Sequence, residues 1–493
     1  MSRRSSLGAG LWLDVQLAAR LAGAGIAPGP ELLPARAKLD SALRFWQWRH
    51  LCDTLMTASG QTRHYSRLFP KDMAREAVAL AKADFDKEAP DRALVHLLAA
   101  LPFTFASDIE AAPEDFLALG HSEVSGVIAL PTSGTTGPGK RIFCSEQDLD
   151  TTAAFFQQGM RYLVGPGKAR HVALLMSGDR PGSVGDLLRR GLRGLGVSCS
   201  VPGFMLPGDD GEKTMLEHLL ALGADCLVGV PGQILALARH RRASELAVRV
   251  RGVLLSGDAV TPALRQGIEA GLGCEVFVHY GLTETGLGGA VECPEHDGLH
   301  LREADLLAEI VDDQGQALPQ GSWGELTLST LTRQAMPLLR YRTGDEARLE
   351  CCACACGSVF RRIFVRGRMG ESLDLPGGHR LHITDLDARL YSLPFVRGYQ
   401  AVLHEPQDQP PCLTLGLRLE DPPAEALELA SASLGDLPGL LLTPPGTGDA
   451  GTGLALRVCL DIAEKNDEDQ RVTQAKQRFW RSNTALAPMR LFS

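Results

Sequence analysis

The chain has 493 residues, 44% hydrophobic and 22% charged, with a formal net charge of −9. That length exceeds what one ordinary core serves, so two or more domains are expected. The acidic balance and an aromatic content of only 5% exclude a broad nucleic-acid interface, and no stretch is long and apolar enough to span a membrane.

In chain order, Met1 to Ser6 superficially resembles the basic start of an export signal. Leu11 to Leu21 is interrupted by Asp14, Gln16 and Arg20, however, so it reads as an amphipathic helix, and a cytoplasmic protein is expected. Residues 1–100 alternate amphipathic helical patterns with short breaks, as in Leu43 to Leu51 and Ala74 to Ala83. From about 120 to 300 short apolar runs precede helical stretches: Val127–Leu130, Val172–Met176, Cys226–Val230, Gly252–Ser256 and Glu275–His279. Strands alternating with helices predict an α/β fold with a largely parallel sheet and ligand loops at the carboxyl ends of the strands. Residues 306–345 read as antiparallel strands, Leu306–Val311 and Gly324–Ser329, about a turn at Asp312–Gly315. A smaller unit follows Gly367 and carries a Pro/Gly-rich loop, Leu442–Gly453, expected to be mobile.

The first apolar run leads into Thr132-Ser133-Gly134-Thr135-Thr136-Gly137-Pro138-Gly139-Lys140. Glycines let backbone N–H groups turn toward one point and hydroxyls add donors, which makes a phosphate nest and points to a nucleoside triphosphate. Gly134 to Lys140 also fits G-x-x-x-x-G-K, the start of a P-loop. Arg141 then stands where a magnesium-holding Ser or Thr belongs, and Pro138 removes a backbone donor, so that reading ranks lower. A plain Gly/Thr surface turn is the bland alternative.

Three further segments follow this loop in order: His279-Tyr280-Gly281-Leu282-Thr283-Glu284, Tyr341-Arg342-Thr343-Gly344-Asp345 and Val365-Arg366-Gly367-Arg368. Together the four look like the adenylate-forming superfamily of acyl-CoA synthetases. Leu101-Pro-Phe-Thr, Glu292-Cys293 followed by Gly298-Leu299-His300, and Cys354-Ala-Cys356-Gly357 resemble its phenylacetate–CoA ligase branch. The resemblance implies a large N-terminal AMP-binding domain of mixed sheets and helices, residues 1–366, and a small α+β lid, residues 367–493.

It also implies roles. Ser133, Gly134, Thr135, Thr136 and Gly137 would hold the β- and γ-phosphates of ATP. Glu284 would offer a hard oxygen to magnesium, which neutralises phosphate charge. Tyr280, with Gly281 after it, would face adenine, Thr283 would reach the α-phosphate, and Asp345 and Arg368 would meet the ribose. Ser256-Gly257-Asp258 resembles the segment lining the adenine pocket. The acid would sit near Gly182–Gly185, Gly229–Gln233, Gly257–Val260 and His279, although His279 could equally be a packed strand residue. The catalytic lid lysine is best matched by Lys476, with Lys465 as runner-up and a solvated lysine as the plain alternative. The hinge departs from the family pattern, placing Gly370 where an acidic residue is usual, and Pro376–Arg380 occupies the place of the loop that approaches CoA.

Cys354 and Cys356 are too close for a relaxed disulfide, and thiolates so near each other suit a soft cation. The branch resemblance supplies two more ligands for a structural zinc, Cys293 and His300. His296, Cys351 and Cys352 compete for the same coordination, and reduced cysteines without metal are the alternative. The function implied is an ATP-dependent, AMP-forming carboxylate–CoA ligase that passes through an acyl-adenylate of an aryl or small organic acid. Its co-substrate would be CoA and its cofactor Mg2+; a homodimer is left open. A non-CoA acceptor, or a catalytically degenerate nucleotide-binding homologue, are the alternatives.

Overall fold

The structure is a computed structural model that describes Arg20 and residues 36–85, 90–119, 130–131, 140–165, 167–176, 178, 180–205, 211–243, 248–375, 379–404, 412–437, 440–442, 456–462 and 479–482. Among them no helix is long and apolar enough to cross a membrane.

The expected N-terminal helices are present as Arg36–Gln61, Lys71–Phe85 and Pro90–Ala100. In the first, Leu43, Leu51, Leu55 and Ala58 recur at helical spacing and are fully buried. Gln47 lies on the same stripe and is also buried, because it meets Glu303, whose backbone oxygen accepts from its Nε2 at 3.0 Å. Glu303 has no exposure and is bracketed by Arg44 at 3.2 Å and Arg361 at 2.6 Å. Burial alone would raise its carboxyl; Arg361 and Arg44 overcome that and hold it at about 2. The folded value lies below the ordinary one. The stabilisation is therefore complete above about pH 4.5 and drains away as pH falls toward 2. Glu303→Gln strands two guanidinium groups and is expected to cost about 3–5 kcal/mol at pH 7. Urea unfolding at pH 7 and pH 3 checks this, because the gap between wild type and variant must narrow in acid.

Leu130–Pro131 (β1) and Arg141–Ile142 (β2) pair antiparallel on either side of the Gly/Thr loop. The loop itself, like Val127–Ala129 before it, lies outside the described residues. The large sheet then takes β3 (His171–Leu175), β4 (Ser198–Ser200), β5 (Cys226–Gly229), β6 (Gly252–Leu255), β7 (Glu275–Tyr280), β8 (Ala290–Glu292) and β9 (Leu299–Leu301). It is completed by β10 (Leu306–Val311), β11 (Gly324–Thr330), β12 (Tyr341–Glu350) and β13 (Arg362–Arg368). The strand order is β10-β11-β12-β13-β9-β8-β7-β6-β5-β3-β4. β4, β3, β5, β6 and β7 run parallel, and from β7 to β10 every neighbour is antiparallel. The parallel and antiparallel regions read from the sequence are thus one continuous sheet. It changes sense where His279 pairs with Val291 and Tyr280 with Ala290. Such a seam leaves a crevice at the carboxyl ends of β6 and β7.

Helices Glu146–Met160 and Val184–Arg193 cover that end. Ser145 and Ser183 cap them, each accepting from the backbone N–H three residues on.

β13 carries the large sheet through Arg368, whose register partner is Asp345. A second core begins at Leu373 and includes Leu386, Leu390, Val396, Leu413 and Leu434. It holds β14 (Ser372–Asp374), β15 (Arg380–His382), β16 (Val396–His404), β17 (Cys412–Leu419), β18 (Leu440–Leu442), β19 (Leu456–Ile462) and β20 (Phe479–Ser482), with helices Ile383–Leu390 and Ala426–Leu434. Strands β16 to β20 make a mixed five-stranded sheet, giving this unit α+β character. Arg239, on helix Pro231–Ala243, donates to the carbonyl oxygens of Tyr391 at 2.9 Å and Leu393 at 3.2 Å, and to that of Val396. Of the Leu442–Gly453 loop, only Leu442 is described.

Candidate active site

A cavity of about 780 Å3 opens at the seam of the large sheet. Its polar side comes from the turn after β7, from Lys140 beside β2, and from β12 and Arg368. Gly281 starts the turn because a Cβ there would fall 2.2 Å from the Leu287 carbonyl oxygen. The turn Thr283–Thr285 ends at Gly286, and Arg333 donates to the Glu284 carbonyl oxygen at 2.8 Å.

Glu284 is 5% exposed. Its Oε1 accepts from Lys140 Nζ at 2.9 Å and from the Tyr341 hydroxyl at 2.8 Å. Burial pushes its carboxyl up, but the Lys140 ammonium and these hydrogen bonds outweigh burial and hold it below the usual value. A buried, ionised carboxylate on a ligand cavity is the donor a hard cation needs.

Beside it, the Tyr280 hydroxyl donates to Asp345 Oδ2 at 2.6 Å, and Arg368 Nε lies 3.0 Å from Asp345 Oδ1. Arg368 also donates to the Thr343 carbonyl oxygen at 2.7 Å. Gly257, Gly281, Thr283, Glu284 and Arg368 all wall the cavity; Tyr280, Asp258 and Asp345 are not among its lining residues. Tyr280 spends its hydroxyl on Asp345 and lays its ring against Gly289. Asp258 is exposed and accepts from the Ala259 N–H at 2.8 Å. Ser133, Gly134, Thr135, Thr136 and Gly137 lie outside the described residues, as do Lys476 and Lys465.

Lys140 and Tyr341 are site residues missed as such in the sequence. Lys140 was legible only as the end of a phosphate loop, and Tyr341 only as the start of a turn motif. Gly370 sits in the short turn Met369–Glu371 and lines the cavity, and a Cβ there would meet nothing within 4 Å.

The deep side of the cavity is apolar, walled by Phe155, Phe156, Met160, Met176, Leu188 and Leu254. His279 enters this wall from β7. Its ring centroid lies 5.7 Å from that of Phe156, edge-on, and 6.1 Å from that of Phe155. Val184 and Val228 also line the cavity, within or beside two of the expected acid-pocket segments.

A second cluster lies outside the cavity. The ligand atoms of Cys293, His300, Cys354 and Cys356 all fall within 4.8 Å of one another, and the four residues are buried. Cys293 Sγ is 3.7 Å from Cys354 Sγ, and His300 Nε2 is 3.2 Å from Cys356 Sγ. His300 Nδ1 lies 3.0 Å from the Phe360 carbonyl oxygen, which fixes the ring with Nε2 toward the sulfurs. Gly357 closes the thiol-bearing turn at φ 88, a backbone that side chains resist. Hydrogen bonding with Cys356 draws the Cys293 thiol down, with burial opposing and His300 assisting. Three soft donors and one borderline donor, closed off from solvent, match the requirement of tetrahedral zinc. The competitors are placed elsewhere: His296 lies 3.0 Å from Glu275 and 3.2 Å from Glu292, while Cys351 and Cys352 are more exposed and outside the cluster.

Residues 75–332, more than half of the chain, match the AMP-binding enzyme family. The phenylacetate-coenzyme A ligase of Thermus thermophilus is 31% identical over 319 residues, which cover 62% of this chain and 68% of that protein. The Escherichia coli K12 phenylacetate-coenzyme A ligase is 31% identical over 247 residues, 48% of this chain and 54% of that protein. A 2-hydroxyisobutyryl-CoA ligase in its postadenylation state, 17% identical, shares the fold at a TM-score of 0.66 over 91% of this chain and 96% of its own. The P-loop reading finds no support beside these matches, and Arg141, at its magnesium position, pairs with Glu114 at the surface. A family match over the cavity-building segments up to residue 332, together with the relatives' identity, leads to one assignment: the chain belongs to the AMP-binding enzyme family, in its phenylacetate–CoA ligase-like branch.

Proposed function

We propose that the chain is an ATP-dependent, AMP-forming carboxylate–CoA ligase acting on an aryl or small organic acid. The observation that carries this reading is a single cavity with an ionised Glu284 on one side and an aromatic, apolar wall on the other. A carboxylic acid with an apolar body fits across it, with its carboxylate turned toward the charged side. In the first step a carboxylate oxygen attacks the α-phosphorus of ATP; the bond to the β-phosphate oxygen breaks and pyrophosphate leaves. In the second, the CoA thiol, losing its proton, attacks the acyl carbon and AMP leaves.

The chain's own groups divide this work. Ser133 to Gly137 cradle the terminal phosphates. Glu284 would hold Mg2+, which would supply neutralisation of phosphate charge. Its ionised carboxylate fits that ion. Asp345 exchanges its Tyr280 contact for the ribose diol, with Arg368 alongside. Lys476 comes from the lid to the charge that develops between carboxylate and phosphate. Met369–Glu371 is the natural pivot, at the junction of the two cores. Cys293, His300, Cys354 and Cys356 hold a structural zinc. A cytoplasmic setting suits free thiols and these substrates.

Incubation with ATP and a panel of acids is expected to yield AMP and pyrophosphate, resolved by chromatography. ADP and phosphate would instead place the attack on the γ-phosphate and overturn the reading. Mass detection of a CoA thioester establishes the acceptor; pyrophosphate without thioester points to another thiol or an amine.

A further inference from the structure

His279 is a polar side chain set against Phe155 and Phe156 on the apolar side of the cavity. It is 9% exposed. Its Nδ1 is engaged with the Ser256 hydroxyl at 3.0 Å, while its Nε2 has no partner among the described residues. β6 and β7 impose this placement. Ser256 directly follows β6, and the pleat of β7 sends His279 to the cavity side while Tyr280 turns to Asp345. A leucine or phenylalanine at this position would pack against Phe155 and Phe156 without leaving a buried nitrogen unsatisfied. A polar group at this depth is costly unless something bonds it.

We propose that His279 selects carboxylic acids bearing a hydroxyl group on their apolar body, with Nε2 as the hydrogen-bonding partner of that hydroxyl. The inference rests on the ligase reading, because it names the acid. Burial lowers the imidazole to about 4, so the ring is neutral near pH 7 and offers no charge to a second carboxylate. If Ser256 donates to Nδ1, then Nε2 carries the hydrogen and donates. If Nδ1 donates to Ser256, then Nε2 accepts. A hydroxyl answers either tautomer, since it both donates and accepts; an ether or a carbonyl answers only one. A charged ammonium substituent would be stranded among the phenylalanines. The carboxylate of the same acid reaches the Glu284 side, so the hydroxyl lies on the body remote from the reacting group.

Matched pairs test this: phenylacetate against its ring-hydroxylated forms, and hexanoate against its terminally hydroxylated form. For each, pyrophosphate release gives kcat/KM and calorimetry gives Kd. In the wild type at least one hydroxylated acid should beat its parent by about tenfold or more, because a site built for a hydroxyl rejects the analogue lacking it. His279→Leu should erase that ratio, through a loss of kcat/KM and of affinity that falls on the hydroxylated acid. His279→Gln, which keeps a hydrogen-bonding group, should retain part of the ratio. Equal use of every pair by the wild type overturns the proposal, as does a ratio that survives in His279→Leu; the wild-type ratio decides even if a variant fails to fold. If acids bind but none releases pyrophosphate, the ligase reading falls, and the Kd ratios still decide the role of His279.

Discussion

Glu284→Gln is expected to lower adenylate formation by at least about tenfold, roughly 1.4 kcal/mol of transition-state stabilisation. The substitution keeps the shape of the side chain and one acceptor oxygen, so the Tyr341 hydrogen bond at 2.8 Å can persist. What it removes is the negative charge, and two things depend on that charge. Lys140, with only 16% of its side chain exposed, loses the opposite charge it meets at 2.9 Å. The proposed magnesium site loses its anionic ligand. Asp345→Ala should produce a loss of similar size for another reason: it frees Tyr280 and Arg368 from the carboxylate that holds both. Pyrophosphate release at saturating ATP, on protein with native thermal unfolding, measures each. Wild-type rates in both variants would remove Glu284 and Asp345 from the chemistry. The pH dependence carries its own sign. Glu284 is held below its ordinary value, so its contribution as a carboxylate should persist through mildly acid pH, whereas an unpaired buried carboxyl would protonate there.

How far the sequence reveals this molecule depends on how each element announces itself. Four strands of the parallel half were legible as apolar runs, two of them, Cys226–Gly229 and Gly252–Leu255, buried throughout; β4, with no buried residue, was not. β8 and β9 were not, since three residues carry no usable period, and they are the strands that weld the two halves of the sheet. The turn after β7 was legible because Gly281 is demanded by a backbone contact, which leaves a mark in the sequence. Lys140 gave no such mark: its partnership with Glu284 spans 144 positions and exists only once β2 is placed beside the cavity. His279 shows the same limit. Strand alternation puts it on one face of β7, but a core histidine and a cavity histidine look identical until Phe155, Phe156 and Ser256 surround it. Likewise, Cys293 and Cys351 offer the same thiol in sequence, and only folding sends one into the cluster and leaves the other outside.

The same cluster yields the second large effect. Cys354→Ser should lower thermal stability and zinc content together, from about one zinc per chain toward none. The four groups tie the segment after β8, strand β9 and the turn between β12 and β13 into one knot, since His300 is also the register partner of Arg362. Without a metal, buried thiols and an imidazole can satisfy one another only in part, and each group left unsatisfied costs about 1–3 kcal/mol. In large domains each kcal/mol moves Tm by about 2–4 °C, so a fall of roughly 5 °C or more is expected. None of the four ligands walls the active-site cavity, so protein that remains folded should lose activity only modestly. A tetrahedron closed by four protein ligands leaves no position for substrate or water, which is why the effect should fall on the fold rather than on turnover. Elemental analysis of protein purified without chelator or metal-affinity resin, paired with thermal unfolding before and after a strong chelator, provides the measurement. A zinc-free preparation of full stability would refute the site, and zinc that survives Cys293→Ser but not Cys351→Ser would reassign its first ligand.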